Sequence, residues 1–325
     1  MHEDTEAGRS LDDYINSSGN TALIGRRINV LLKGKYVELD VYRIPIKYLK
    51  FNLDNTRFEA QKLVYEKHNG PINISTKRGE EAIEKLLLYS NNGVTLSKDA
   101  KTLIGDLKRN GQLEPGIITW DGYIINGNRR FACLKYLYKT DPEEKYEYFN
   151  TTRLPKGTSE EEYFKIEADM QWSKDLKVGY DPLNKYLMLK RAKLYRMDQK
   201  QIASLTHRSV KEINAELAEL ELIEEYLRTT KDPRDFSQLD GQTEIITEAA
   251  KLISLYKNTN EKPAKIVEYK KFIFKFINHF FYSVIVNISF IAILLFIQIF
   301  FVNYNVCMIP CIVGVCWILY CNLIL

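Results

Sequence analysis

The run "GYIINGNRRFACLKYL" (Gly122–Leu137) changes character halfway along. Tyr123 to Asn126 reads as a short apolar strand. It returns from the strand Ile117 to Trp120 through a tight Asp121-Gly122 turn. Gly127-Asn128-Arg129-Arg130 follows, and a helix starts close to Arg129. A strand-to-helix turn presents free backbone N–H groups at the positive end of the helix. Glycine lets an anion approach the main chain, and arginine adds a planar fork that holds phosphate oxygens. Gly127, Asn128, Arg129 and Arg130 therefore suit an anionic ligand, most simply the phosphates of a nucleotide. The same two arginines equally suit a solvated helix end or pairing with nearby carboxylates.

Working outward, "INVLLKGKYVELDVYRIPI" (Ile28–Ile46) reads as a hairpin turning at Lys33-Gly34-Lys35. "LDNTRFE" (Leu53–Glu59) is a polar loop carrying Arg57. Helical spacing covers Glu80–Ser90, and a second helix runs from an N-cap at Ser97 to a stop at Gly111. Ser159 with Glu162 forms a capping-box pattern, and Asp181-Pro182 opens a further helix. From there to about Leu227 the pattern is helical throughout. The N-terminus, "MHEDTEAGRSLDDY", is acidic and polar and reads as a disordered lead-in.

"GYIINGNRRFACLKYL" closely resembles the phosphate-binding box of the ParB/sulfiredoxin-like superfamily. Gly127, Arg130 and Cys133 fall on that family's G-x-x-R-x-x-A, with Cys133 in place of the final alanine. "NGQLEP" (Asn110–Pro115), which includes Gln112, matches the segment before the box. "RIPIKYLKFNLDNTRFE" (Arg43–Glu59) resembles the opening strand and the Asn-x-Arg loop, and this places Arg57 near the ligand. "MQWSKDLKVGYDPLNKYL" (Met170–Leu187) resembles the segment after the core in a bacterial ParB-like subgroup. Partition proteins carry a second nucleotide box here. Asp169 and Met170 stand where they have Glu and Asn, Ser173 where they have Arg, and Asn128 where they have the Glu of G-E-R-R. Lys174 and Lys177 suit either partial replacement of that arginine's positive charge or an ordinary solvated helix face. The ligand this resemblance implies is a nucleoside triphosphate, CTP or ATP, with Mg2+ alongside. Sulfiredoxins use a cysteine in a Gly-Cys-His-Arg box. Cys133 is not at that position, which argues against sulfinic acid reduction.

"DQKQIASLTHRSVKEINAELAELELIEEYL" (Asp198–Leu227) resembles the helix-turn-helix of partition proteins. Thr206-His207-Arg208 makes the turn, without the usual glycine. Ser209 caps a second helix with Val210, Ile213 and Leu217 inward. Arg208, Ser209, Lys211 and Asn214 are the outward residues for DNA contact. An ordinary helical hairpin has the same spacing, and the later run of glutamates would repel phosphate.

The expected organisation is a lead-in over 1–22, then an α/β (α+β) ParB/sulfiredoxin-like nucleotide-binding domain over 23–157. An all-α region follows over 158–262, with the helix-turn-helix at 199–218, and an apolar tail over 263–325. The composition is ordinary at 45% apolar and 27% charged, with a net charge of +4, but no Asp, Glu, Lys or Arg follows Lys275. Phe281–Val302 and Val306–Leu325 are each long enough to span a bilayer. The tail reads either as a membrane hairpin holding a cytoplasmic N-terminal part, or as the shifted-frame end of an AT-rich gene on a cytoplasmic protein. Of five cysteines, only Cys133 precedes the tail. No C-x-x-C pair occurs, so neither a disulfide framework nor a zinc site is expected.

By this resemblance the chain is a DNA-binding protein and a nucleotide-dependent clamp or regulator, two protomers closing over DNA as a homodimer. A nuclease or nucleotide-dependent phosphotransferase on the same scaffold is the enzymatic alternative. Asp121, Asp169 and Asp175 lack metal-ligand spacing, and His2, His68, His207 and His279 form no triad in sequence. A non-catalytic sensor or scaffold in a phage-defence or mobile-element system is the third reading.

Overall fold

The computed structural model describes residues 5–18, 22–90, 93–175, 182–230, 232, 239, 243–258 and 263–280. The chain divides into two compact units, Met1–Glu261 and Lys262–Leu325. The first is mixed α/β around a six-stranded sheet of order β1-β2-β6-β4-β5-β3. Its strands are β1 (Leu23–Leu32), β2 (Lys35–Pro45), β3 (Lys50–Phe51), β4 (Gly116–Ile118), β5 (Tyr123–Asn126) and β6 (Tyr148–Arg153). The pairs β3·β5 and β4·β6 are parallel and the others antiparallel.

The β1–β2 hairpin turns at Lys33 and Gly34, whose φ values of 50° and 74° are the left-handed pair that a two-residue hairpin needs. Helices α2 (Glu59–Asn69), α3 (Lys77–Leu88) and α4 (Lys98–Asn110) lie between β3 and β4, and α5 (Asn128–Thr140) follows β5. Ser97 caps α4 as expected, accepting from Ala100 N at 3.2 Å, and Thr76 caps α3 through Gly79 N at 3.1 Å. The strand read as Ile117–Trp120 pairs only to Ile118, because Thr119 turns into the tight turn with its N–H on Tyr123 O.

Successive residues of β5 face opposite sides of the sheet. Ile124 packs with Phe51, Phe131 and Phe149 beneath α5, whereas Ile125 packs with Val30, Ile117 and Ile166 beneath α6 (Glu160–Asp175). Ser159 Oγ accepts the Glu162 N–H at 3.2 Å, and the Glu162 carboxylate reaches across to the Lys33 N–H at 2.7 Å, fixing the hairpin tip on α6. Helices α7 (Pro182–Leu194), α8 (Gln199–Leu205), α9 (Val210–Leu227) and α10 (Thr243–Asn258) complete this unit. Asp181, read as the N-cap of α7, lies outside the described residues.

One expectation is overturned. Residues Glu6–Ser18, read as part of a disordered lead-in, form helix α1. Leu11 is fully buried, and a Cβ added at Gly8 would come within 2.0 Å of the Trp120 indole. The Arg153 guanidinium clasps the helix, donating to Gly8 O at 2.9 Å and Asp12 Oδ1 at 2.5 Å, while its Nε donates to Trp120 O at 2.7 Å.

In the second unit, α11 covers Pro263–Phe280. The charge-free run from Phe281 onward, read as a membrane hairpin or a frameshifted end, lies outside the described residues. Among the described residues no helix is long and apolar enough to cross a membrane.

If α1 is docked as described, Leu11→Ala lowers the stability of the α/β unit by about 2–5 kcal/mol in urea unfolding. An unchanged midpoint would return the segment to a lead-in.

Candidate functional site

Gly127 stands at the join of β5 and α5 with φ +107°. A side chain there would be strained, and its Cβ would press to 3.0 Å from the Phe149 ring. Helix α5 has no side-chain cap at this end, in contrast to α3, α4, α8 and α9. Its first-turn N–H groups thus open at a glycine.

The two arginines flank this turn in ion pairs. Arg129 Nη1 lies 3.0 Å from Asp99 Oδ2, in the first turn of α4. Arg130 Nη2 lies 3.1 Å from Glu114 Oε2, and its Nη1 donates to Pro115 O at 3.4 Å. The guanidiniums are mostly buried (29% and 15% exposed), whereas both acids are more than half exposed (58% and 55%). The carboxylate-pairing reading of the sequence is therefore realised, on acids that solvent reaches.

Two residues expected at the ligand are spent elsewhere. Asn128 is buried, donating from Nδ2 to Ile124 O at 2.9 Å and accepting the Asn52 N–H on Oδ1 at 3.2 Å. Gln112 acts as an extra rung of the sheet. It accepts Asn150 N at 2.7 Å and donates to Asn150 O at 2.7 Å. Both amides satisfy main-chain groups, and for the buried Asn128 this pairing is obligatory. Lys177 and the side chains of Arg57 and Lys174 lie outside the described residues. Cys133 is fully buried on α5, and burial pushes its thiol up to about 12, against the pull of Arg129 and Arg130. That leaves it a packing residue.

The loop that carries Arg57 is held by residues to which the sequence assigned no role. Asn55 Nδ2 donates to Ile125 O at 3.1 Å. Glu167 Oε1 on α6 accepts from Thr56 N at 2.6 Å, Thr56 Oγ1 at 2.7 Å and Gln171 Nε2 at 3.0 Å. Asn184 on α7 accepts the Ala60 N–H at 3.0 Å, and Arg191 bonds both Asp54 O and the Glu59 carboxylate. The Asn184 side of this clamp had a signal, since it sits in the Met170–Leu187 segment that carries part of the resemblance. Glu167 and Arg191 had none.

The segment read as a helix-turn-helix folds as two helices, α8 and α9, joined by a short turn and both opened by capping boxes, Asp198 with Gln201 and Ser209 with Glu212. His207 takes φ +53° where glycine is usual. Its Nε2 lies 3.1 Å from Asp169 Oδ1, which also accepts the Tyr36 hydroxyl at 2.8 Å. That hydrogen bond, with burial adding to it, raises the Tyr36 phenol above its ordinary pKa.

The outward set needs correction. Arg208 is gripped by Glu216 at 2.5 and 2.6 Å, a buried carboxylate that also takes Lys185 at 2.9 Å. Ser209 is exposed as expected, and its hydroxyl caps α9 as expected, accepting Glu212 N at 3.2 Å. Val210 is 40% exposed rather than inward, Leu217 is half-buried, and Ile213 is fully buried. Lys211 and Asn214 are exposed as expected. Asn214 also lines a groove of about 420 Å³ with Lys193, Arg196 and Gln199 from the ends of α7 and α8. These two cations were not singled out in the sequence. Among the described residues no group of three or more His, Cys, Asp or Glu could hold a metal ion.

The chain matches no protein-family model, and it matches none of the curated proteins against which it was compared.

The Glu167 clamp has a pH signature. Burial pushes its pKa up to about 7, only partly offset by the Thr56 hydroxyl, the Arg191 charge and the Thr56 N–H. The folded state therefore holds a proton that the unfolded chain has released between its ordinary value of 4.5 and about 7. Its contribution is fully present below the ordinary value and is lost as pH rises through about 7. Glu167→Gln removes this slope. The variant gains stability relative to the wild type as pH rises from the ordinary carboxylate range to above neutral, read by thermal unfolding across that range. Parallel pH profiles would contradict it.

Proposed function

We propose that this chain is a ParB-like DNA-binding protein. The phosphates of a nucleoside triphosphate dock at the β5–α5 turn, and the α8–α9 pair contacts DNA. The observation that carries the reading is an uncapped helix N-terminus at a left-handed glycine, flanked by two guanidiniums whose carboxylate partners are exposed. Each pair sets one half-exposed carboxylate against a mostly buried guanidinium, so an incoming phosphate replaces a charge-assisted hydrogen bond with another of the same kind. A hydrogen bond to a charged group contributes about 1.5–3 kcal/mol, and a triphosphate offers several. Exchange of Asp99 and Glu114 for phosphate oxygens is then favourable.

The α/β unit followed by a capped helix pair supports the ParB/sulfiredoxin-like assignment, which also implies a homodimer closing over DNA. The DNA surface we assign is Lys211 and Asn214 with Lys193 and Arg196 beside them, because Arg208 is held by Glu216. The paired network Tyr36–Asp169–His207 ties this helix pair to the sheet, a physical route by which nucleotide state reaches DNA.

Thermal-shift titration with CTP, ATP, GTP and ADP tests the nucleotide half. At least one triphosphate raises the melting temperature of the wild type, and Arg129→Ala abolishes that rise. If the wild type and Arg129→Ala respond alike to every nucleotide, the site is not a phosphate site. Filter binding across a salt series tests the DNA half. Lys211→Ala reduces the slope of log K against log salt by about 0.9, the value for one lost phosphate contact. An unchanged slope would remove Lys211 from the interface.

A further inference from the structure

A second concave region lies at the β3 edge of the sheet, on the side covered by α6. One compartment, of about 340 Å³, is lined by Asn52, Asp54, Thr119, Asp121, Tyr123 and Tyr163, among others. A second, of about 390 Å³, adds Glu167, Arg191 and Tyr195. Asn52, Asp54, Glu160 and Tyr163 line both, so the two form one elongated space between β3, α6 and α7. The volumes fall in the range of small-ligand sites.

The chemistry of the first compartment is one-sided. Asp121 is 5% exposed and lies in its wall. Among the described residues its one hydrogen bond comes from Thr119 Oγ1, at 2.5 Å to Oδ1, and no Lys or Arg pairs with it. A buried carboxylate without a counter-ion is costly. Two more carboxylates, Asp54 and Glu160, stand exposed on the same lining. The Tyr163 ring is buried, and its phenol is pushed above the ordinary range by burial and then by the charges of Asp121 and Glu160. Tyr123 already attracts a cation on its ring, with the Lys50 ammonium 5.5 Å from the centroid.

We propose that this space binds an organic cation, a primary ammonium or guanidinium on an aliphatic stem, with its charge against Asp121 and its stem along the Tyr123 and Tyr163 rings. A guanidinium or ammonium is all donors and no acceptors, and the carboxylates are all acceptors. Aromatic walls add cation–π attraction and cover the stem. A linear polyamine and the side chain of a basic peptide share this chemistry. The proposal does not rest on the nucleotide reading, since none of its residues belongs to the β5–α5 turn.

Calorimetric titration of the full chain at constant ionic strength, with spermidine, agmatine and an Arg-Lys peptide as probes and sodium glutamate as control, tests it. At least one cation binds saturably at one site while glutamate does not. Binding by the amines identifies a free ligand, and binding by the peptide alone identifies a protein partner. Asp121→Asn weakens the cation by about tenfold or more, the loss expected for a hydrogen bond between charged groups. Glu160→Gln, at an exposed position, weakens it by about threefold, as for a partly screened charge, and decides the matter should Asp121→Asn fail to fold. No saturable cation binding, or wild-type affinity in every folded variant, overturns the proposal.

Discussion

One buried carboxamide organises the α/β unit. Asn128, the first residue of α5, donates to the carbonyl of Ile124 on β5 and accepts the N–H of Asn52 where β3 ends. It thereby joins a strand, a helix and a loop through a side chain that is 4% exposed. Gly127 makes this geometry accessible by entering the left-handed region, and a Cβ there would press to 3.0 Å from the Phe149 ring. From the other face of the sheet, Glu167 does the corresponding work on Thr56. The loop between these anchors is therefore placed by polar side chains on two different helices, each in a setting where an unmet hydrogen bond is costly.

The same logic extends to the helical half. Asp169 lies two residues beyond Glu167 on α6 and accepts from Tyr36 on the hairpin while contacting His207 in the turn between α8 and α9. Glu216 on α9 gathers Arg208 and Lys185. Helix α6 thus links the loop and the helix pair through residues of one continuous element. An anion arriving at the β5–α5 turn would act on a structure whose parts are already coupled by specific polar contacts. The acid partners of Arg129 and Arg130 set the cost of that arrival, and their exposure keeps the cost small.

Local signals in the sequence carried the hairpin turn, the Ser97 and Ser209 caps, the β4–β5 turn and the start of α5. Each depends on neighbours within a few residues, through turn conformation or side-chain-to-backbone capping. What the sequence concealed depends on distant partners. Helix α1 shows Leu11, Tyr14 and Ile15 at helical spacing, but its polar composition masked them, and the Arg153 clasp comes from a residue 141 positions further along the chain. The partners of Arg129 and Arg130 lie 30 and 16 residues away, on a different helix and before a different strand. Arg208 looked outward from spacing alone, and only the fold brings Glu216 beneath it. His207 was legible as a missing glycine, though not as a residue that adopts the left-handed conformation itself.

The claim that matters most is that an oligo-anion docks on the main chain of the β5–α5 turn. Amide ¹⁵N–¹H spectra recorded during titration with inorganic tripolyphosphate read that event at the atoms concerned. The account predicts saturable shifts centred on the N–H groups of Asn128, Arg129 and Arg130, with the side-chain Nε–H signal of Arg129 moving in step as Asp99 is displaced. Shifts scattered over surface lysines, with these amides unmoved at saturation, would contradict it.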